Sequence, residues 1–91
     1  MFRAARKDAN HADIVKLFRK IGWTVLDVAQ LKNCCDIIVS KNGRTAAIEI
    51  KDGTKPPSQR KLTEGEEAFM DSWQGEYYIV ICEEDVFNIN K

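Results

Sequence analysis

The 91-residue sequence lacks the features that would cross-link a small fold covalently or place it in a membrane. Its three cysteines are an odd number, two of them adjacent, and no CxxC pair or Cys/His cluster occurs, which argues against a disulfide framework and a zinc site. No apolar run approaches the roughly 20 residues that cross a bilayer, and no cleavable apolar leader is seen. We therefore expect a soluble, cytoplasmic protein with reduced thiols at Cys34, Cys35 and Cys82.

Net charge is also absent, since 14 Lys and Arg residues balance 14 Asp and Glu residues. An even distribution of these charges would argue against a nucleic-acid partner. However, residues 1–61 carry 13 basic against 6 acidic residues, whereas residues 62–91 carry 1 against 8. This asymmetry is consistent either with a surface that faces a polyanion or with two halves that neutralise each other in the fold.

The chain length predicts a single domain, 1–91, with a core near the lower size limit for independent stability. Self-association would help such a small core. Residues 1–8 contain Arg3, Arg6 and Lys7 and are interpreted as a basic, flexible arm that precedes the first helix.

The order of helical and strand patterns predicts an α/β domain. Residues 10–21 have apolar side chains at helical spacing, with Asn10 as the predicted N-cap and Gly22 as the stop. Asn42-Gly43 is a strong hairpin signal, because both residues tolerate a positive φ. The other predicted elements are strands at 23–29, 35–40 and 45–51, a loop at 52–61, a helix that begins with a Thr63/Glu66 capping box, a buried strand at 77–82, and a short helical turn or edge segment at 83–91. A helix, a three-stranded antiparallel meander, a second helix and a final strand thus build a mixed central sheet.

Three charged residues are predicted to meet at one end of the hairpin. Alternate side chains of a strand share a face, so Ile48 and Ile50 are assigned to the core and Glu49 and Lys51 to the opposite face. Since the preceding strand folds back through the Asn-Gly turn, Asp36 at its start lies near the end of the next strand.

The chemistry of this cluster points to phosphodiester hydrolysis. Two nearby carboxylates repel each other unless a cation neutralises them, and oxygen ligands suit a hard divalent ion such as Mg²⁺. A lysine beside the ion would orient the nucleophile or offset developing negative charge. The simpler interpretation is a Glu49/Lys51 pair on a solvated sheet face, with Asp36 as a cap at the strand start.

The run of Asp36, twelve residues and Glu49-Ile50-Lys51 resembles the PD-(D/E)XK nuclease superfamily. More narrowly, the segments "RKDANHADIVKLFRKIG" and "GRTAAIEIKDGTKPPSQRKLT", with residues 73–75, resemble small stand-alone VRR-NUC proteins of bacteria and phages. The resemblance extends over nearly the whole chain.

The resemblance implies a restriction-endonuclease-like core and a Mg²⁺- or Mn²⁺-dependent endonuclease. Its DNA substrate would be branched or flapped, as for Holliday-junction resolvases, and the protein would be a homodimer from a bacterial cell or phage. Asp36 and Glu49 would be the metal-binding carboxylates, the Ile50 carbonyl a further ligand, and Lys51 the catalytic lysine. No organic cofactor and no membrane partner are expected.

The chain departs from the family pattern at two places. The proline that usually precedes the hairpin acid is missing, since the sequence reads Asn33-Cys34-Cys35-Asp36. Many relatives also carry a glutamate near the start of the first helix, and the matching position here is His11. A neutral imidazole in the first turn would assist a metal or its water, or it would face solvent without a role.

Basic and polar residues on both sides of the acidic cluster are the candidates for contact with DNA phosphates. They are Lys16, Arg19 and Lys20 on the first helix, and Lys55, Ser58, Gln59, Arg60 and Lys61 in the following loop. Nothing in the sequence indicates base-specific readout. Two other functions stay open: a nuclease-fold module that binds branched DNA or a replication or repair partner without cutting, and a nuclease that acts on RNA.

Overall fold

A computed structural model describes residues 8–91, so the predicted arm lies, apart from Asp8, outside the described residues. In chain order the elements are α1 (His11–Lys20), β1 (Thr24–Asp27), β2 (Ile37–Lys41), β3 (Arg44–Ile50), a 3-10 helical turn (Pro57–Gln59), α2 (Glu64–Ser72), β4 (Glu76–Val80) and α3 (Glu83–Ile89). Across residues 8–91, no helix is long and apolar enough to cross a membrane.

The four strands form one mixed sheet in the order β1-β2-β3-β4. β1, β2 and β3 are antiparallel neighbours, whereas β4 pairs with β3 in parallel. A parallel pair needs a crossover connection, which α2 supplies here. The predicted α/β order of a helix, an antiparallel meander, a helix and a strand around a mixed sheet is therefore confirmed.

The hairpin between β2 and β3 turns at Asn42 and Gly43, as predicted. Their φ angles are 52° and 81°, which is the left-handed region that a tight two-residue hairpin requires. Lys41 consequently pairs with Arg44, and the register carries Ile37 opposite Ile48. The turn therefore decides which residues of the two strands face each other at the far end of the hairpin.

The main core lies between the sheet and the helices α1 and α3. Phe18 of α1 is fully buried and meets Trp23 edge to face, with ring centroids 5.8 Å apart. The Trp23 indole N–H donates a hydrogen bond to Asn90 Oδ1 at 2.9 Å, which ties the end of α3 to this cluster. Other fully or nearly fully buried members are Ile14, Ile37, Val39, Ala46, Ile48, Ile50, Val80 and Val86. The assignment of Ile48 and Ile50 to the core is confirmed.

α2 lies over the opposite face of the sheet and begins with the predicted capping box. Thr63 Oγ1 accepts from the Glu66 N–H at 3.2 Å, and Glu66 Oε1 accepts from the Thr63 N–H at 2.8 Å. Phe69 stacks on Trp73 and also contacts Tyr77 of β4, at centroid distances of 5.4 and 6.4 Å. None of the α2 residues is buried, so this helix is held by a few aromatic and polar contacts.

Of two predictions about the C-terminal part of the domain, the buried strand needs correction, whereas the helical alternative for residues 83–91 is confirmed. The strand that was predicted to be buried, β4, is only partly buried, and Ile79 is 44% exposed because β4 lies at the edge of the described sheet. The segment predicted as a helical turn or edge contains α3, whose Val86 and Ile89 pack into the core. A short helix covers the sheet there because both apolar side chains point the same way at three-residue spacing.

Candidate active site

Asp36 and Glu49 lie side by side at the end of the hairpin, on the face that α2 covers. Pairing of Ile37 with Ile48 places Asp36 opposite Glu49 on adjacent antiparallel strands. The Asp36 backbone N–H donates to the Ile48 carbonyl at 3.0 Å, and Asp36 Oδ2 accepts from the Ile50 N–H at 2.7 Å. The side chain of Asp36 therefore continues the strand ladder and is fixed in position beside β3.

Glu49 is the most buried carboxylate among the described residues, with 2% of its surface exposed. This burial contradicts the alternative of a solvated sheet face. Burial raises the pKa of Glu49 to about 10, and the neighbouring carboxyl groups of Asp36 and Glu66 act in the same direction. Glu49 Oε2 is buried and has no hydrogen-bond donor within reach in residues 8–91. One oxygen of the Glu49 carboxyl group is thus left without a partner among the described residues.

Lys51 completes the predicted cluster. Its ammonium nitrogen lies 3.9 Å from Glu49 Oε1 and 3.0 Å from Glu66 Oε1, and its side chain is 13% exposed. Burial lowers the Lys51 pKa, but the contacts with Glu66 and Glu49 outweigh this effect, and the net pKa is raised. The lysine is therefore a cation at neutral pH, positioned between the carboxyl groups of Glu49 and Glu66.

Glu66 is the site residue that the sequence did not assign. Burial alone would raise the Glu66 pKa. The hydrogen bonds with Glu49, the Thr63 N–H and Lys51 have the opposite effect and outweigh burial, so the Glu66 pKa is lowered. The capping-box spacing indicated Glu66 as a helix-start residue, and nothing in the sequence placed it against Lys51. Glu66 is thus an ionised acid beside the protonated Glu49.

Two further side chains border the cluster. The carboxyl of Asp8 raises the pKa of Lys51 and lies 3.8 Å from the Lys55 ammonium. The Tyr77 hydroxyl is buried without a hydrogen-bond partner among the described residues, and burial together with the charges of Glu49 and Glu66 raises its pKa. The sequence does not predict the position of Asp8 or Tyr77 beside the cluster, because both residues are far from Glu49 along the chain.

Asn10 connects the start of α1 to the end of the hairpin. It occupies the N-cap position, but its side chain makes no capping hydrogen bond. Instead, its amide nitrogen donates to the carbonyl oxygens of Lys51 and Ile81 at 3.1 and 3.3 Å. The predicted cap therefore holds the ends of β3 and β4 together beside the acidic cluster.

His11 lies on the other side of the sheet from this cluster. Its Nε2 is 2.9 Å from Asp27 Oδ2, and Asp27 pairs with Ile37, whose side chain belongs to the α1 core. The imidazole is buried, which differs from a solvent-facing position. No hydrogen bond or ion pair within residues 8–91 joins it to the carboxylates of Asp36 or Glu49.

The predicted DNA-binding residues fall into two separate groups. Lys16, Arg19 and Lys20 are exposed on α1, which covers the sheet face opposite Glu49. The second group follows the site-bearing strand: Lys55, Ser58, Gln59 and Lys61 are exposed, and Arg60 is partly buried. Only the second group lies in the segment that joins Lys51 to α2, and Lys55 of this group contacts Asp8.

The cysteines beside Asp36 behave as structural thiols. Cys34, Cys35 and Cys82 are all free. Cys35 is buried, its thiol donates to the Ile37 carbonyl at 3.3 Å, and burial together with the neighbouring Cys34 raises its pKa to about 12. A thiol that stays protonated is a poor metal ligand, so the candidate ligands here are oxygen atoms.

The oxygen atoms at this site are compatible with a cation that keeps much of its own hydration. Residues 8–91 contain no group of three or more His, Cys, Asp or Glu side chains arranged to hold an ion. Mg²⁺ is commonly held by one or two carboxylates with water completing its shell, which is what Asp36 and Glu49 could provide.

Comparisons with protein-family models, with curated proteins and with solved structures find no match for this chain. The functional assignment therefore depends on the geometry and chemistry of the site itself.

Proposed function

We propose that this protein is a Mg²⁺- or Mn²⁺-dependent endonuclease that hydrolyses phosphodiester bonds in branched or flapped DNA. The observation that carries the proposal is the pair formed by the half-buried Asp36 and the buried Glu49, with the Lys51 ammonium 3.9 Å from Glu49. Burying the Glu49 carboxyl beside other acidic groups costs stability, because burial and those neighbours disfavour its ionisation and raise its pKa. Such a cost is typical of sites where a ligand supplies the missing positive charge.

The unpartnered oxygen of Glu49 supports a divalent cation at this place. A cation between Asp36 and Glu49 would give Glu49 Oε2 a partner and would replace the proton that burial retains there. The Ile50 carbonyl is proposed as a further ligand. When bound, such an ion lowers the pKa of a coordinated water and stabilises charge on a phosphoryl oxygen.

Lys51 is proposed to stabilise charge rather than to accept a proton. Its raised pKa keeps the side chain protonated at neutral pH, which excludes it as a general base in this state. A fixed ammonium near the carboxylates is suited to offset the negative charge that develops on a phosphate during attack.

The loop from residue 52 to residue 61 is proposed to hold the DNA backbone. It carries Lys55, Arg60 and Lys61, and an Asx turn shapes its start, where Asp52 Oδ1 accepts from the Thr54 N–H at 2.9 Å. Phosphate contacts of this kind carry no sequence information, so DNA shape would select the substrate. His11, Lys16, Arg19 and Lys20 lie on the other side of the sheet and would act on a second DNA segment or not at all.

A relationship to the nuclease superfamily and a dimeric assembly are proposed from the resemblance of the sequence. The mixed sheet with a carboxylate pair at the end of its hairpin is consistent with a restriction-endonuclease-like core and a VRR-NUC relationship. A two-fold homodimer would present two such sites to the two strands of a DNA junction.

A silent DNA-binding module is the second candidate. It is favoured by the position of His11, which is paired with Asp27 and leaves the cluster without a ligand from α1. This module would bind branched DNA or a replication or repair partner through the same basic loop, without turnover.

Cleavage of a labelled panel of four-way junction, flap, fork and linear duplex, with Mg²⁺, Mn²⁺ or EDTA, tests the proposal. Asp36→Asn and Glu49→Gln keep the shapes of the side chains, and Glu67→Gln is the matched control, since it removes an exposed charge on α2. We expect metal-dependent cutting that both site variants lose and the control retains. Full cutting by either site variant would refute the nuclease assignment, and binding without any cutting would favour the silent module.

A further inference from the structure

We propose that Glu66 is a positioning residue that holds the Lys51 ammonium at the acidic pair and couples it to the start of α2. This inference rests on the proposed nuclease function, in which Lys51 stabilises charge on the phosphate. The motif that contains Glu66 predicts only a helix cap, so the link to Lys51 is an additional role for this side chain.

One oxygen atom of Glu66 serves both partners. Oε1 accepts from the Lys51 ammonium at 3.0 Å and from the Thr63 backbone N–H at 2.8 Å. The side chains of Lys51 and Glu66 are 13% and 20% exposed, so water competes weakly for this charged hydrogen bond. The distance from Lys51 to Glu66 is also 0.9 Å shorter than the 3.9 Å from Lys51 to Glu49.

The lysine needs such a partner because its side chain has four flexible bonds and a compact charge. Without Glu66, the ion pairs of Lys51 among residues 8–91 would be reduced to the longer, 3.9 Å contact with Glu49. A catalytic charge has to be held closely, because a displacement of about 1 Å costs on the order of a hundredfold in rate.

Glu66 also connects the lysine to the rest of the α2 side of the domain. No residue of α2 is buried, and the ion pair with Lys51 connects this helix to the residue that follows β3. Along the chain, the basic loop at 52–61 lies between Lys51 and Glu66. Phosphates that bind this loop would therefore act on a segment whose two ends are joined by Glu66 and Lys51.

The test compares Glu66→Gln with Thr63→Ala and Glu67→Gln. Glutamine retains the capping box and removes only the charge that faces Lys51. Thr63→Ala removes the hydroxyl cap but keeps the backbone N–H that binds Glu66, and Glu67→Gln removes an exposed charge from the same turn. The measurements are kcat and KM for the best substrate of the panel, and the rate at which acetic anhydride labels Lys51, read by mass spectrometry.

For Glu66→Gln we expect kcat to fall about tenfold or more, with KM changed less than about twofold. Labelling of Lys51 should accelerate about threefold or more, because the loss of an anion lowers its pKa and uncovers its nitrogen. Thr63→Ala and Glu67→Gln should keep both values within about twofold, since neither changes the contact with Lys51.

Three results would overturn the role of Glu66. The first is unchanged kcat and labelling in Glu66→Gln, and the second is a fall in kcat without faster labelling, which would mean that Glu66 acts otherwise than through Lys51. The third is an equal loss in Thr63→Ala, which would indicate a capping role alone. If the unmodified protein cuts nothing, faster labelling of Glu66→Gln still supports the hold on Lys51 while the nuclease assignment fails, and unchanged labelling refutes both.

Discussion

Replacing Glu49 by glutamine removes a titratable group from the centre of the acidic cluster without changing its size. The Glu49 carboxyl is almost fully buried, and burial beside Asp36 and Glu66 raises its pKa to about 10 from 4.5. The native protein therefore takes up a proton at this group when it folds near neutral pH. Glutamine needs no proton, and its amide N–H groups can donate to both neighbouring carboxylates.

The size of the effect follows from proton linkage. A raised pKa in the folded state means that the folded protein binds more protons, so stability falls as pH rises above the unfolded pKa of 4.5. Near pH 7 this penalty is about 3 kcal/mol, since each pH unit above 4.5 contributes about 1.4 kcal/mol. We expect Glu49→Gln to stabilise the metal-free protein by up to this amount near pH 7 and hardly at all near pH 4.5.

Urea denaturation in EDTA at several pH values between about 5 and about 8 measures this difference. The free energy of unfolding of Glu49→Gln relative to the unmodified protein should increase with pH, with a slope of up to about 1.4 kcal/mol per unit. Glu67→Gln is the control, because Glu67 is an exposed glutamate on α2 and the same change there removes no buried proton. A difference that is independent of pH, or a variant that is less stable throughout, would refute a buried protonated Glu49.

Addition of Mg²⁺ or Mn²⁺ links this stability measurement to the proposed site. An ion that binds only the folded state stabilises it according to its concentration and affinity. The unmodified protein should gain stability with the ion, and Glu49→Gln should gain much less because it has lost one of two charged ligands. Equal gains for both proteins would place the ion elsewhere.

Two further predictions concern single contacts. Asp36→Ala should destabilise the metal-free protein by about 1–3 kcal/mol in urea denaturation, because it leaves the Ile50 N–H without its acceptor, whereas Asp36→Asn keeps an oxygen there and should cost less; equal losses would contradict the hydrogen bond. His11→Gln should lower stability but change the initial cleavage rate by less than about threefold, because His11 contacts Asp27 on the other side of the sheet; a loss of cleavage with normal stability would return His11 to the site.

The local features of the fold were readable from short stretches of sequence. Asn42-Gly43 predicted the hairpin because few other residue pairs adopt two positive φ values, and Thr63 with Glu66 predicted the start of α2. The alternation along β3 correctly separated Ile48 and Ile50 from Glu49 and Lys51. These predictions hold because each depends on neighbours along the chain and on the fixed period of a strand.

The sequence was less informative wherever burial depends on distant partners. The apolar strand β4 reads as fully buried, yet its position at the sheet edge leaves Ile79 exposed. Asparagine is a residue type typical of helix N-caps, but the Asn10 side chain donates hydrogen bonds to the carbonyls of Lys51 and Ile81 instead. The type of a residue determines which hydrogen bonds it can make, whereas the packing of separate elements determines which of them form.

The acidic cluster combines both kinds of information. Sequence alone placed Asp36, Glu49 and Lys51 together, because a tight turn and a period of two bring residues separated by twelve others to one end of a hairpin. Only the tertiary structure showed that Glu66 contacts Lys51 and that His11 pairs with Asp27 on the other side of the sheet. It also showed that Glu49 is buried deeply enough to retain its proton. Those outcomes depend on which face each helix covers, and a pKa depends on how much water that covering removes.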